Sequence, residues 1–281
     1  MKSPFNYIGG KYRELNQILP LFPDNINKFY DVFGGGGSVS LNVLAKEIIY
    51  NDIIPYVSDV LKELSQINYK DAIYKINYII NEYKLDKYNE IGFKKLRHDY
   101  NNGLKTWYMF YTLTCFSFNN QYRFNNKHEY NSSFGKYKSC FSQVTKNKLQ
   151  LAIERLHKIN IKFQSSDFTN IRYDEIEKTD FVYFDPPYLI SCGNYNDGKR
   201  GFNGWNQVDD INLMNICDFL NEKNIKFALS NIFKCKNIEN IKLINWSKKY
   251  HIHIIHNSYG NCNYQKKYKH DHDIEVLITN Y

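Results

Sequence analysis

The chain has 281 residues, 43% hydrophobic and 23% charged, which supplies a real core and excludes a disordered or collagen-like polymer. Its formal net charge is +8, from 37 Lys and Arg against 29 Asp and Glu, a balance that suits a polyanionic partner. No apolar run reaches 18 residues, and Met1–Phe5 has neither the apolar core nor the cleavage site of a signal peptide, so neither a membrane-spanning helix nor secretion is expected and the expected location is the cytoplasm. The cysteines (Cys115, Cys140, Cys192, Cys217, Cys235, Cys262) show no C-x-x-C pair or ligand spacing, so they read as reduced thiols and no metal is expected. The length fits one large domain carrying an insertion.

In chain order, Pro4-Phe5-Asn6-Tyr7-Ile8-Gly9-Gly10-Lys11 is a glycine turn before a helix, with an aromatic and a lysine able to meet a carboxylated or aromatic ligand. The run Phe29–Phe33 predicts a strand, followed by four glycines (34–37), Ser38, a helix over SVSLNVLAKE, and a second strand, Ile48 to Asn51, ending at Asp52. That is the pattern of a mononucleotide-binding βαβ unit. The loop lacks the lysine of a P-loop and the full G-x-G-x-x-G spacing. Its glycines instead permit close backbone approach to a small ligand at the strand ends. Asp52 stands where an acid accepts hydrogen bonds from ribose hydroxyls.

From Pro55 to about Lys148 the periodicity is helical, then gives way to a polar aromatic stretch, Ser117 to Lys138. All of the net positive charge falls between Lys94 and Lys148, as expected for an insertion that grips a polyanion. The α/β alternation resumes with a helix near 146–158, strands near 161–164, 180–184 and 225–230, and helices near 209–222 and 237–248. The tail predicts two antiparallel strands, 251–255 and 274–279. The expected organisation is an α/β domain from 1–54 and 146–281, with 55–145 inserted as a mainly helical recognition subdomain.

Asp185-Pro186-Pro187-Tyr188 follows the apolar run Phe181–Phe184 and so lies just past the end of a central strand. Two prolines fix the backbone and remove amide donors, leaving carbonyls free to accept. The Asp185 carboxylate and the Pro186 carbonyl can hold the hydrogens of an exocyclic amine while Tyr188 stacks on its ring. Such an amine is a poor nucleophile until its lone pair leaves conjugation, and two acceptors favour that geometry. In the insertion, Phe118, Tyr122 and Phe124 offer aromatics, Asn119, Gln121 and Asn125 offer amides for adenine edges, and Arg123 suits guanine.

In their order PFNYIGGK, DVFGGGGSVSLN, Asn51-Asp52, YRFNNKHEYNSSFGKYK, Ser165–Phe168 and DPPY, these motifs resemble the Dam-like, α-group DNA adenine methyltransferases. The resemblance covers nearly the whole chain. It implies a Rossmann-like methyltransferase sheet, S-adenosyl-L-methionine as cofactor and N6 of adenine in duplex DNA as target. Tyr7, Gly10, Lys11, Phe33, Gly34, Gly35, Gly36, Ser38 and Asp52 would hold the cofactor, Asp167 and Phe168 would lie against its adenine, and Asp185 would touch both cofactor and base. Asp185, Pro186, Pro187 and Tyr188 would form the catalytic turn. Phe118 would fill the opened duplex, Asn119, Gln121, Arg123 and Asn125 would meet bases, and Lys136 and Tyr137 would touch backbone or bases.

Asn6 stands where GATC-specific members often carry a lysine, and Gln121 replaces a more apolar residue. The stretch Leu189 to Trp205 is closer to restriction-linked members, which leaves GATC and related sites such as GGATG open, and leaves open both a cognate restriction endonuclease as a partner and an orphan or phage enzyme. Methylation of RNA or of a protein amide, and a noncatalytic DNA-binding protein, remain alternative readings of the same residues.

Overall fold

Runs of alternately facing apolar residues build the sheet. In the computed structural model, which describes residues 1–7, 9–103, 105–125, 127–190, 204–256 and 273–281, the strands are β1 (Ile26–Asp31), β2 (Ala45–Asn51), β3 (Ile161–Gln164), β4 (Phe181–Phe184), β5 (Lys226–Cys235), β6 (Ile238–Glu239), β7 (His251–Ile255) and β8 (Ile274–Thr279). The sheet order is β3-β2-β1-β4-β5-β8-β7, with β6 paired to β5. The first five strands of that order are parallel, whereas β8 is antiparallel to both β5 and β7. The expected tail hairpin is therefore present, and its last strand sits inside the sheet.

β4 is buried along its whole length. Its side chains alternate, so Val182 and Phe184 join one core with α7 (Gln207–Glu222) and α8 (Ile241–Ser247), while Phe181 and Tyr183 join another with α1 (Leu15–Ile18). Apolar faces on both sides are what a parallel sheet covered by helices requires. This is the expected doubly wound α/β architecture.

Helices α2 (Pro55–Leu64), α3 (Tyr69–Glu82), α4 (Glu90–Asn102), α5 (Trp107–Phe116) and α6 (Gln143–Leu156) share a third core. Their starts are written locally: Pro55 opens α2, and Asn68, Asn89, Thr106 and Ser142 cap α3 to α6 by accepting a backbone N–H three residues on. Phe5 and Tyr50 pack into the same cluster, so these helices are tied to the sheet rather than separately cored. Residues 117–135 fold back over α4 and α5. The Asn101 side chain brackets the backbone of Tyr130, accepting from its N–H at 2.8 Å and donating to its C=O at 3.0 Å, and Phe124 stacks on Tyr56 at 4.0 Å.

The helix expected over SVSLNVLAKE is not formed. Residues 38–42 make only turns, and β2 begins at Ala45 rather than Ile48. Polar side chains compete with the helical ladder here: Ser40 donates through N–H and Oγ to Asp31, and Asn42 donates to the carbonyls of Ser38 and Met1. The helix expected near 237–248 is likewise shortened, because Ile238–Glu239 first pairs with β5. Cys115, Cys140 and Cys217 are free thiols. Cys192, Cys262 and most of the Leu189 to Trp205 stretch lie outside the described residues.

At the carboxyl ends of the strands Asn51 joins three of them. Its amide donates to the carbonyls of Val32 and Ser166, and its oxygen accepts from the N–H and Oγ of Ser166. Asn51→Ala leaves the Val32 carbonyl and the Ser166 N–H without that partner. We expect urea unfolding of the ligand-free protein to show a loss of about 3 kcal/mol; an unchanged midpoint would contradict this.

Candidate active site

The turn after β1 is compressed against its neighbours. The Gly34 N–H donates to the Asn51 carbonyl at 2.7 Å, and the Gly35 N–H donates to Asp52 Oδ2 at 2.8 Å. The Tyr50 hydroxyl donates to the Gly35 carbonyl at 2.6 Å. A Cβ on Gly34 would lie 2.2 Å from the Tyr50 ring, and one on Gly36 would lie 2.8 Å from Tyr7 Cβ. Gly35 also has a positive φ of 49°, so glycine is required by both space and conformation.

This turn opens onto a cavity of about 840 Å³ at the carboxyl ends of β1, β2 and β4, the place where open α/β sheets bind ligands. All of the expected cofactor residues line it: Tyr7, Gly10, Lys11, Phe33, Gly34, Gly35, Gly36, Ser38, Asp52, Asp167, Phe168 and Asp185. Pro186 and Pro187 line it too, and so do Gln121 and Arg123 from the insertion and Asn6 from the N-terminal arm. The structure thus brings three separated sequence regions to one wall.

Lys11 is buried at 4% exposure, with Nζ 2.8 Å from Asp185 Oδ1 and 3.4 Å from Glu275 Oε1. Burial alone would push its pKa down; the negative groups around it, Asp185 and Glu275 among them, outweigh burial and hold it well above the ordinary value. The ring of Tyr188, expected to stack on a base, lies under Lys11 Nζ at 4.9 Å. Its hydroxyl donates to Glu275 Oε1 at 2.9 Å and to Asp185 Oδ1 at 3.3 Å.

Three residues that sequence reasoning missed belong to the site. Asp31 ends β1 and lines the cavity, with Oδ2 accepting from the N–H and Oγ of Ser40; burial raises its pKa to about 7. Burial likewise raises Asp52 to about 6, against the two backbone N–H groups, of Ile54 and Gly35, that it accepts. Trp205 packs on Phe33 at 5.6 Å and Phe168 at 5.2 Å, making an aromatic wall, and its indole N–H donates to Asp210 at 2.7 Å. Glu275 is the third. Its sequence signal is an acid inside the apolar run Ile274–Ile278, where only a partnered charge is tolerated.

The insertion residues divide. Asn6 donates through its side chain to the Asn119 carbonyl at 2.7 Å, so the N-terminal arm touches the loop directly. Asn119 has φ of 54°, and Phe118 is exposed. The side chain of Asn125 is spent inside its own turn: it accepts from the N–H groups of Lys127 and Glu129 and donates to the Glu129 carboxylate. Lys136 and Tyr137 are exposed beside Tyr88, where the Tyr137 N–H donates to the Lys87 carbonyl. Two cations of the basic segment, Arg97 and Lys105, are tied to the carbonyls of Ser132 and His128. Among the described residues, no helix is long and apolar enough to cross a membrane, and no group of three or more His, Cys, Asp or Glu is placed to hold a metal.

A doubly wound sheet, a glycine turn, a strand-end acid and the Asp185-Pro186-Pro187 turn meet around one cavity. The model of the D12 class N6 adenine-specific DNA methyltransferases matches residues 7–260, and the chain belongs to that family. It is 48% identical over its full length to a Type II methyltransferase, M.FokI, of Planomicrobium okeanokoites, and 41% identical to a modification methylase, StsI, of Streptococcus sanguinis. It covers 43% of each of those proteins. A DNA adenine methylase of Haemophilus influenzae is 27% identical over 66% of this chain and 63% of its own length.

Because Asp31 and Asp52 titrate above the ordinary carboxylate value of 3.8, the folded state binds more protons than the unfolded state between about pH 4 and 7. The stabilisation from protonation is full below the unfolded value and is lost as pH rises through 6 and 7. We therefore expect the ligand-free protein to lose stability over that range. Asp31→Asn should flatten the fall and be more stable than the parent at pH 8 in urea titrations; parallel pH profiles for the two proteins would contradict this.

Proposed function

We propose that this chain transfers a methyl group from S-adenosyl-L-methionine to N6 of adenine in a short duplex DNA site, GATC or a related GAT-containing site such as GGATG. We propose further that it does so in the cytoplasm as the modification partner of a restriction endonuclease. The observation that carries the reading is a single cavity shared by the glycine turn, Asp185 and two residues of the insertion, Gln121 and Arg123. The names of its relatives support a place in a restriction-modification system.

The residues present fit that cofactor. The Gly35 and Gly36 backbone packs directly on Tyr7 with no space for a side chain, and both glycines present bare backbone to the cavity. Asp31 and Asp52 are buried carboxylates whose pKa values a cationic or hydroxylic ligand would bring down. The Tyr122 hydroxyl on the same wall has no hydrogen-bond partner among the described residues. Asp31 suits an ammonium group, Asp52 suits ribose hydroxyls, and the wall of Phe33, Phe168 and Trp205 suits a planar base. When bound, the cofactor supplies a methyl group already activated on a sulfonium.

The chain's own work is positional. Both contacts of Asp185 use Oδ1, which leaves Oδ2 to accept a hydrogen of the adenine amine, with the Pro186 carbonyl taking the other. The amine lone pair is thereby freed from conjugation and aimed, and most of the acceleration comes from orientation and fixed charge. A paired adenine cannot reach strand ends inside a cavity, so the base leaves its stack. Phe118 fills the gap, Arg123 and Gln121 read neighbouring base edges, and Lys136 and Tyr137 hold the backbone.

Purified protein incubated with labelled cofactor and duplex DNA, followed by nucleoside analysis, tests this directly. Label should appear in N6-methyladenine, and Asp185→Ala should lower transfer by roughly a hundredfold or more while DNA affinity stays within a few fold. Transfer surviving in that variant, or label appearing in cytosine, would overturn the assignment.

A further inference from the structure

Glu275 is a buried carboxylate to which the reaction outlined above gives no task. It lies in β8, at 6% exposure, between apolar neighbours that are themselves buried except Ile274. Side chains two apart on a strand share a face. Leu277 packs in the core formed by Phe181 and Tyr183, so Glu275 and Asp185 point to the same side of the sheet. Between them sits Lys11, 2.8 Å from Asp185 and 3.4 Å from Glu275, with the Tyr188 hydroxyl bonded to both acids.

We propose that Glu275 is a positioning residue for methyl transfer, acting through Lys11 and Tyr188; this rests on the methyltransferase reading above. If Lys11 had only Asp185 as a partner, the pair would be neutral and its ammonium would hold the carboxylate away from an incoming amine. Glu275 shares that ammonium, so Asp185 is neutralised less completely than in a simple pair. As the amine nitrogen bonds to the methyl carbon, the carbon–sulfur bond breaks with its electron pair left on sulfur, and the nitrogen carries positive charge until one of its protons passes to Asp185 Oδ2; a carboxylate kept incompletely neutralised stabilises that charge more than it stabilises the neutral base. Glu275 also fixes the Tyr188 hydroxyl, which pins the last residue of the catalytic turn to β8. A residue with this role affects the chemical step and leaves ligand binding almost unchanged.

The test uses the full chain with duplex DNA and cofactor, comparing single-turnover transfer with equilibrium binding of each ligand. Glu275→Gln keeps size and an acceptor for Tyr188 but removes the charge. It should lower the single-turnover rate by about tenfold with cofactor and DNA dissociation constants within about twofold. Glu275→Asp, which keeps the charge, should recover most of that rate. A wild-type rate in Glu275→Gln would overturn the proposal, as would a rate loss matched by an equal loss of cofactor affinity. A folded Glu275→Asp protein showing the full rate loss expected of Glu275→Gln would also overturn it, since the charge would then not be what the step needs. Absence of transfer by the unmodified chain is a different result: it is the failure of the methyltransferase reading itself, seen before any variant is compared.

Discussion

The closeness of β1 to β2 at their carboxyl ends is the constraint on which the rest depends. Tyr50 lies so near Gly34 that no side chain fits between them, and its hydroxyl holds the Gly35 carbonyl. That contact turns the Gly35 N–H toward Asp52 and leaves Gly36 against Tyr7. One aromatic ring thereby sets the depth of the cavity floor, the place of the strand-end acid and the path of the N-terminal arm. Asn51 locks the same corner to β3 through Ser166.

A second consequence is electrostatic. Strand ends packed this tightly bury carboxylates, and each is managed differently. Asp31 and Asp52 have backbone and hydroxyl donors but, among the described residues, no cation in contact, and burial raises both. Asp185 and Glu275 share Lys11. The floor of the cavity therefore suits cationic ligands on one side and keeps an oriented acceptor on the other, a division of labour achieved by five polar side chains from β1, β2, β4, β8 and the arm before α1.

Much of this was legible in the sequence. The parallel strands, the glycine turn, Asp52 and D-P-P-Y announced themselves because each is a local pattern: apolar runs, glycines and prolines at their ends, a charge just beyond. The helix after the glycines did not form because Ser40 and Asn42 found side-chain partners that helix propensity does not anticipate. Glu275 and Trp205 escaped notice because their roles exist only after residues far apart in the chain meet. The sequence offers Tyr188 as a stacking ring, and in the structure Lys11 lies over it; it offers Asn125 as a base contact, and in the structure that side chain closes its own turn. In both, a nearby polar partner supplied by the fold competes with the ligand.

The central claim is that the shared cavity joins a methyl donor to adenine in a defined DNA site. It is tested most directly by expressing the chain in a host lacking adenine methylation and mapping modified bases across that genome by single-molecule sequencing. The account predicts N6-methyladenine at every copy of one short GAT-containing motif. A genome without modified adenine, from cells in which the folded protein binds its cofactor, would contradict it.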